Sequence, residues 1–248
     1  MPQPVKVQFV GTGDAFGSGG RLQTCIHVSA PGGNYLLDCG CSSLIGLRRF
    51  KLAVEQIDTV IVSHLHGDHF GGIPFLLLDG QYLTQRSRPL TLIGPQGLQR
   101  QVEAALDVLY PGTLNGGVDF PLTYLELTPE KVLSHGPLEI CAWTMKHGNS
   151  GQALGLQVTG DSRRIAYTGD TEWTENMVPL SAGADLMVCE CFQYDQPIPS
   201  HLDYMTLLEK RSQLDCRQVV LTHAGEDMLQ RQEGLEFPLA YDGFSLEL

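Results

Sequence analysis

Short apolar runs that suit β-strands recur along the chain, and a few longer amphipathic stretches lie between them. Continuous or alternating apolar residues over short windows favour strands, whereas apolar residues three and four positions apart favour helices. The predicted strands are Val5–Val10, Cys25–Ser29, Tyr35–Asp38, Asp58–Val62, Leu90–Ile93, Tyr124–Leu127, Leu138–Lys146, Leu154–Val158, Arg164–Tyr167, Leu186–Glu190 and Val219–Leu221. The predicted helices are Ser42–Lys51, Gly97–Leu109 and Tyr204–Leu214.

Turn signals divide these elements similarly in both halves of the chain. Pro31-Gly32-Gly33-Asn34 and Gly160-Asp161-Ser162 each separate two predicted strands, which indicates β-hairpins. Strands, hairpins and helices in both halves predict an α/β fold in which two sheets pack face to face with helices outside. No linker rich in Pro, Gly or Ser separates the two pseudo-similar halves, about residues 1–124 and 125–248. We therefore expect one domain over residues 1–248.

Composition is typical of a soluble globular protein, with 42% hydrophobic and 18% charged residues among 248. The longest apolar run, Ile73–Leu78, is far too short to span a membrane. Met1–Lys6 has no apolar signal core, and the seven cysteines are odd in number and scattered. These features predict a cytoplasmic protein whose cysteines stay reduced and which does not bind membranes.

Negative charge is concentrated in the second half of the chain. The net charge is −12, and residues 125–248 hold 8 Lys/Arg against 19 Asp/Glu, whereas residues 1–124 hold 8 against 9. A field of this sign repels polyanions at long range, although salt screens it. Indiscriminate binding of nucleic acid is therefore disfavoured, but a bound divalent metal or a local basic patch could still attract a phosphate.

The decisive segment is Ser63-His64-Leu65-His66-Gly67-Asp68-His69, which directly follows a predicted buried strand. Three imidazoles and a carboxylate are poor material for a core, because burying them unpaired would cost several kcal/mol. In a tight loop His64 and His66 can point one way while Asp68 and His69 point to the neighbouring side. This alternation suits two metal ions, and imidazole with carboxylate suits zinc, with manganese or iron as alternatives.

Three further candidate ligands, His147, Asp170 and His223, also follow predicted strands. A single histidine is weak support for a metal site. Together with the first cluster, however, these residues place seven potential ligands at strand ends, where active-site loops gather.

This set of motifs resembles the metallo-β-lactamase-fold hydrolases over almost the whole chain, from Gly11-Thr12-Gly13 to Tyr241-Asp242-Gly243. The resemblance implies a four-layer αββα sandwich with two mixed sheets. It also implies two divalent metal ions, Zn²⁺ before Mn²⁺ or Fe²⁺. The implied ligands are His64, His66 and His147 for one ion, Asp68, His69 and His223 for the other, and Asp170 as the bridge.

A site of this kind implies hydrolysis by a metal-activated hydroxide, since two cations lower the pKa of a shared water and polarise the scissile bond. Asp68 is a candidate catalytic residue that orients this water or takes its proton. Asp38 ends another predicted strand. It is either a carboxylate that supports a ligand histidine or a turn residue.

Within the superfamily, the chain is most similar to ribonuclease Z and its phosphodiesterase relatives. The supporting segments are the Gly11-Thr12-Gly13 loop, His66–His69 followed by Gly71-Gly72-Ile73-Pro74, and Pro89–Pro95. That family uses a Glu and a His to protonate the leaving oxygen, and Glu190 and His201 stand at the matching positions. We expect Glu190 to hydrogen-bond His201 and to raise its pKa. The surrounding motifs differ, with Cys189-Glu190-Cys191 in place of His-Glu-Ala-Thr and His201-Leu202-Asp203 in place of His-Ser-Thr.

The largest departure concerns the tRNA-binding arm, which ribonuclease Z inserts before the bridging Asp. Residues 147 and 170 are only 23 positions apart, and a predicted hairpin fills most of that stretch. RNA is therefore a disfavoured partner, and a small phosphodiester such as a cyclic nucleotide is at least as strong a candidate substrate as tRNA. Two other functions stay open: an ester, thioester or lactone hydrolase, and a metal-binding protein without turnover. A homodimer also stays open as the assembly. Arg21, beside the glycine-rich loop, is a candidate phosphate contact.

Overall fold

Two mixed β-sheets form the centre of the molecule in a computed structural model, which describes residues 4–114, 116–148 and 152–248. The first sheet has the order β13-β1-β2-β3-β4-β5-β6, antiparallel from β13 to β3 and parallel from β3 to β6. Its strands are β1 (Lys6–Gly11), β2 (Cys25–Ala30), β3 (Gly33–Leu37), β4 (Ile57–Ile61), β5 (Leu90–Gly94), β6 (Leu122–Glu126) and β13 (Ser245–Glu247).

The second sheet has the order β12-β11-β10-β9-β8-β7. Strands β10 to β12 are parallel, and β7 to β10 are antiparallel. Its strands are β7 (Leu133–His135), β8 (Leu138–Thr144), β9 (Leu154–Gly160), β10 (Arg163–Tyr167), β11 (Leu186–Glu190) and β12 (Val219–Thr222).

Seven α-helices lie between the strands in the part of the chain that the structure describes. They are α1 (Ser43–Arg49), α2 (Gly67–Phe70), α3 (Ile73–Leu78), α4 (Leu98–Leu109), α5 (Met177–Ser181), α6 (Tyr204–Lys210) and α7 (Glu226–Gln230). A π-helical turn, Asp79–Leu83, continues α3, and short 3₁₀ turns occur at Ser18–Gly20, Val54–Gln56 and Arg211–Gln213. Within the described ranges, no helix has the length and apolar character needed to cross a bilayer.

Three apolar clusters lie between four layers of secondary structure: helices, the first sheet, the second sheet and helices. The central cluster lies between the sheets and contains side chains from both, such as Phe9 and Ile26 from the first and Leu156 and Val188 from the second. A second cluster packs α1, α3 and α4 on the outer face of the first sheet, and a third packs α5, α6 and α7 on the outer face of the second. This arrangement confirms the predicted αββα sandwich. The description as a single domain stays a prediction.

The predicted strands and helices are present, with ends displaced by at most four residues. The apolar run Ile73–Leu78 is the helix α3, which periodicity does not distinguish from a buried strand. Pro74 fits there because the first helical turn needs no N–H from that position. The edge strands β7 and β13 are only three residues long and carry little pattern. Met1–Gln3, part of the N-terminal stretch examined for a signal core, lie outside the described residues.

Candidate metal centre

The candidate ligands lie at one edge of the sandwich, where parallel strands of both sheets end. His64 follows β4, Asp170 follows β10 and His223 follows β12, while His147 comes after the antiparallel strand β8. Carboxyl ends of parallel strands form a crevice at the edge of a sheet, and this is where ligands bind in open α/β folds. The two sheets thus contribute residues from distant parts of the sequence to one site.

The short helix α2 explains how one loop supplies ligands in two directions. His66 has extended backbone angles at the N-cap, and both His69 and Phe70 donate from their backbone N–H to the His66 carbonyl. The chain therefore turns sharply after His66, and Asp68 and His69 emerge from the helical turn rather than from the extended segment. Asp68 and His69 are buried, whereas His66 is exposed at the rim.

His64, His66 and His147 form the first group of candidate ligands, with all three ligand atoms within 4.8 Å of one another. Nε2 of His147 lies 3.1 Å from Nδ1 of His66. On its other side, Nδ1 of His147 donates to the backbone carbonyl of Ser200 at 2.7 Å. That bond assigns the proton to Nδ1 and directs Nε2 toward the group.

Asp68, His69, Asp170 and His223 form the second group, and each of them is buried. Nε2 of His69 lies 3.4 Å from Oδ2 of Asp68 and 3.2 Å from Oδ1 of Asp170. Nε2 of His223 lies 3.3 Å from Oδ2 of Asp68 and 3.4 Å from Oδ2 of Asp170. Four ligand-type atoms therefore surround one point.

Asp170 also faces the first group. Its Oδ2 lies 3.7 Å from Nε2 of His147 and 3.9 Å from Nε2 of His64. The preceding Gly169 has φ +57°, and an added Cβ there would lie 2.8 Å from the Cβ of Ser63. This close approach brings Asp170 against the loop that carries His64, between the two groups.

The chemistry of these atoms fits divalent cations. Nε2 of His64, Nε2 of His69 and Oδ1 of Asp170 are buried and make no hydrogen bond, which is costly in the absence of another partner. Burial, together with His69, lowers the pKa of His64 well below its usual value, so its imidazole is neutral and able to ligate. Burial alone would raise the pKa of Asp170, but His223 and His69 outweigh it and hold that pKa well below its usual value.

The side chain of Asp38 makes hydrogen bonds with residues of the candidate site. It is fully buried in a left-handed conformation, with φ 59°. Its carboxylate accepts hydrogen bonds from the N–H and Oγ of Ser63, both at 2.7 Å, and from the hydroxyl of Tyr167 at 2.7 Å. It also lies 2.6 Å from Nδ1 of His69. Of the two interpretations offered by the sequence, the carboxylate that supports a ligand histidine is the one that these contacts favour.

Glu190 and His201 lie beside the second group as a hydrogen-bonded pair. Oε2 of Glu190 lies 3.0 Å from Nδ1 of His201, and the backbone N–H of Thr171 donates to Oε1. Burial, followed by the charge of Asp170, raises the pKa of Glu190 well above its usual value. Burial lowers the pKa of His201 more than Asp170 raises it. The pKa of His201 is therefore lowered rather than raised as the sequence predicts, because burial outweighs the neighbouring carboxylates.

Phe192 is a site residue that sequence reasoning missed. Its ring stacks on His201 with centroids 4.8 Å apart and an interplanar angle of 28°, and His201 in turn stacks on His223 at 5.7 Å. Phe192 directly follows Cys189-Glu190-Cys191. Its position two residues after Glu190 is the feature of the sequence that could have indicated a place in the site. The stack fixes the plane of the His201 ring.

A protein-family model described as Anti-Pycsar protein Apyc1 matches residues 5–238. The chain belongs to this family. It is also 24% identical over 279 residues to the ribonuclease Z of Lachnoclostridium phytofermentans, a match that covers 92% of this chain and 90% of that protein. Several shorter matches to ribonuclease Z proteins cover 36% to 46% of those proteins.

Solved structures confirm the fold of this Apyc1-family chain. The metallo-β-lactamase-fold protein YhfI from Bacillus subtilis superposes with a TM-score of 0.79 at 21% identity, over 99% of this chain and 100% of that one. Human tRNase Z, short form, superposes with a TM-score of 0.78 at 24% identity, over 97% and 98% of the two chains. The chain therefore has the metallo-β-lactamase fold and is similar to ribonuclease Z proteins, and these relationships indicate a metal-dependent hydrolase.

Proposed function

We propose that the chain hydrolyses small phosphodiesters, such as cyclic nucleotides or other nucleotide esters, at a centre of two divalent metal ions. His64, His66 and His147 would hold one ion, and Asp68, His69 and His223 the other. Asp170 would bridge them. When bound, such ions supply Lewis acidity, which lowers the pKa of a coordinated water and polarises a phosphoryl oxygen.

The position of Asp170 carries the proposal. Its two oxygens face nitrogen atoms of both groups at 3.2 to 3.9 Å. A closed structural zinc site needs four ligands around a single ion. Six ligand-type residues arranged on both sides of the Asp170 carboxylate exceed that need, and they favour a paired, catalytic centre.

Asp68 is the residue that we assign to the nucleophilic water. Two histidines, His223 and His69, lie beside Oδ2 at 3.3 and 3.4 Å, and the side chain is 8% exposed at the floor of the site. Burial acts to raise the pKa of Asp68, but these neighbours hold it below its usual value. A carboxylate that stays ionised in this position can accept a hydrogen bond from the attacking water and orient it.

Glu190 and His201 are assigned to the leaving group. A protonated Glu190 donates to Nδ1 of His201, which places the proton of the neutral imidazole on Nε2. His201 would deliver that proton to the departing oxygen and recover one at Nδ1 from Glu190. The 20% exposure of the His201 side chain is consistent with access to substrate.

The size and charge of the surroundings favour a small substrate. The hairpin of β9 and β10 occupies most of the stretch between His147 and Asp170, and residues 149–151 of that stretch lie outside the described ranges. Lys146 pairs with Glu172. Arg231 pairs with Asp195 and Asp227. These cations are therefore neutralised locally, in a half of the chain that is already strongly acidic.

RNA cleavage is the second candidate, since the curated relatives are named ribonuclease Z. One experiment separates the candidates. The protein, purified without chelators, is analysed for metal. It is then assayed with bis(p-nitrophenyl) phosphate, 3′,5′-cyclic nucleotides, a precursor tRNA and a set of esters, thioesters and lactones. We expect about two divalent ions per chain and the highest kcat/KM on a small phosphodiester, with loss on chelation and recovery with Zn²⁺ or Mn²⁺.

Other outcomes of this experiment would favour a different function. Highest kcat/KM on the precursor tRNA would favour RNA cleavage, and highest kcat/KM on a carbonyl substrate would favour the ester, thioester or lactone alternative. Fewer than one ion per chain, with no turnover after metal addition, would contradict the enzyme proposal altogether. His135→Ala is the matched control, because it removes a histidine in the short strand β7 and outside the candidate ligand groups.

A further inference from the structure

The C-terminal segment crosses from one sheet to the other next to the metal centre. Leu221 of β12 donates to the carbonyl of Pro238, and Ala240 donates back to Leu221, so residues 238–240 run alongside β12. Gly243 then donates to Phe9 of β1 in the first sheet at 2.7 Å. Asp242 lies at this crossing.

The side chain of Asp242 binds the loop that follows β1. Its Oδ1 accepts from the backbone N–H of Thr12 at 3.0 Å and from the Thr12 hydroxyl at 2.8 Å. Its Oδ2 accepts from the backbone N–H of Leu22 at 2.8 Å. Both ends of the glycine-rich loop are thus held by one carboxylate, although Asp242 is 230 positions from Thr12.

Arg21 completes this arrangement. Its guanidinium donates to the carbonyl of Ala240 and, at 3.2 Å, to the hydroxyl of Thr12. Arg21 is therefore engaged with the C-terminal segment. These contacts do not favour the role in binding phosphate that the sequence suggests for Arg21.

The same loop holds a candidate metal ligand. The carbonyl of Thr12 accepts the backbone N–H of His223 at 3.0 Å. His223 has φ 56°, a left-handed conformation that costs about 1 kcal/mol or more in a residue other than glycine. Such a conformation persists only where its surroundings impose it, and the bond to Thr12 is one that does so.

We propose that Asp242 is a positioning residue for His223, acting through the backbone of Thr12, and so for the second metal ion. The inference rests on the proposed metal centre. Asp242 fixes Thr12, Thr12 fixes the peptide of His223, and that peptide sets where the imidazole meets Asp68 and Asp170. Partners in the shell outside metal ligands typically change metal affinity by 10- to 100-fold.

The test is stepwise Zn²⁺ binding to metal-free protein, measured by competition with a chromophoric chelator. Asp242→Asn keeps the size of the side chain but places an NH₂ group opposite the N–H of Leu22. We expect one of the two binding steps to weaken by about 10- to 100-fold and the other to stay within about threefold of wild type. The matched control is Asp161→Asn, which changes a carboxylate that also accepts a backbone N–H, from Gly32 at 3.0 Å, in a turn between strands.

Each outcome has one meaning. Two unchanged binding steps in Asp242→Asn, with a wild type that binds two ions, would overturn the positioning role and leave the metal centre standing. A wild type that binds fewer than two ions would contradict the metal centre itself. If Asp242→Asn does not fold, Thr12→Val decides, since it removes the hydroxyl that donates to Asp242 and accepts from Arg21 while the backbone of Thr12 is kept. Unchanged binding in that variant overturns the proposal, and selective weakening of one step supports it.

Discussion

The carboxylate of Asp38 lies 2.6 Å from Nδ1 of His69, and this contact joins the buried end of β3 to the candidate metal centre. It orients the ring so that Nε2 faces Asp68 and Asp170. Although burial acts to lower the pKa of His69, Asp170 and Asp38 raise it well above its usual value. The bond therefore fixes the ring orientation of a candidate ligand, which the loop alone would not determine.

Asp38→Asn should weaken metal binding by about 10- to 100-fold, because the amide cannot accept hydrogen bonds at both of its ends. Tyr167→Phe removes one donor to the same carboxylate and should cost about 1.5–3 kcal/mol of unfolding free energy. Metal titration and urea unfolding of both variants check this. Equal metal affinity in Asp38→Asn and wild type would show that His69 is held by other contacts.

His201→Ala should lower kcat by about 10²- to 10⁴-fold for a phosphodiester with a poor alkoxide leaving group. The loss should be much smaller for p-nitrophenolate, which departs without needing a proton. Metal content should stay at the wild-type level. Parallel kinetics on the two substrates provide the measurement, and equal losses on both would remove the acid role from His201.

Asp170→Ala should reduce metal content more than any substitution of a single histidine, because Asp170 faces both ligand groups. His64→Ala should lose the ion of the first group and retain the other. Metal analysis after gel filtration distinguishes these results, with His135→Ala as the control. Retention of two ions in Asp170→Ala would contradict its bridging position.

Arg86 stabilises the fold through four backbone carbonyls, and its longest hydrogen bond, to Val54, is 3.5 Å. Its guanidinium donates to Arg88 at 2.8 Å and to Ile57 and Pro89 at 2.6 Å each, and the residue is 7% exposed. Arg86→Met should lower the unfolding free energy by about 2–4 kcal/mol, because these acceptors lose their donor. Arg88→Met is the control. Its side chain is 56% exposed in a surface pair with Asp58, so the loss should stay below about 1 kcal/mol. Similar losses in urea unfolding would contradict the structural role of Arg86.

Local patterns were sufficient to predict the strands and the candidate ligand residues that the structure brings together. A buried strand leads directly into His64 and His66, which are residue types that do not suit a core. The location of the candidate site and its metal-binding chemistry could therefore both be predicted from this segment. Asp170 and His223 could be predicted for the same reason, as polar residues at the ends of apolar strands.

Contacts between distant segments could not be predicted from local sequence patterns. The role of Arg86 depends on carbonyls of β4 and of the turn before β5, and that of Asp242 on a loop at the other end of the chain. Neither residue stands in a periodic pattern. The directions in which the pKa values of Glu190 and His201 shift could not be predicted either, because burial is the main cause of both and residue identity alone does not specify burial.

His27 makes stability depend on pH independently of the metal centre. It lies in β2, is 8% exposed, and pairs with Gln8 on one side and Leu36 on the other. Burial, with a smaller contribution from Lys6, lowers its pKa from 6.5 to about 4. Between these two pH values the unfolded chain binds a proton at this position and the folded protein does not. Stability is therefore lost as pH falls from 6.5 toward 4.

The size of this loss follows from about 1.4 kcal/mol for each pH unit. Between pH 7.5 and pH 5, wild type should lose about 2 kcal/mol of unfolding free energy that His27→Gln does not lose. Both proteins are compared by urea unfolding in the metal-free form with chelator present, so that titration of the candidate ligands contributes equally to each and cancels in the difference. If the two proteins lose the same free energy over this range, His27 is protonated equally in the folded and unfolded states, and burial does not keep it neutral.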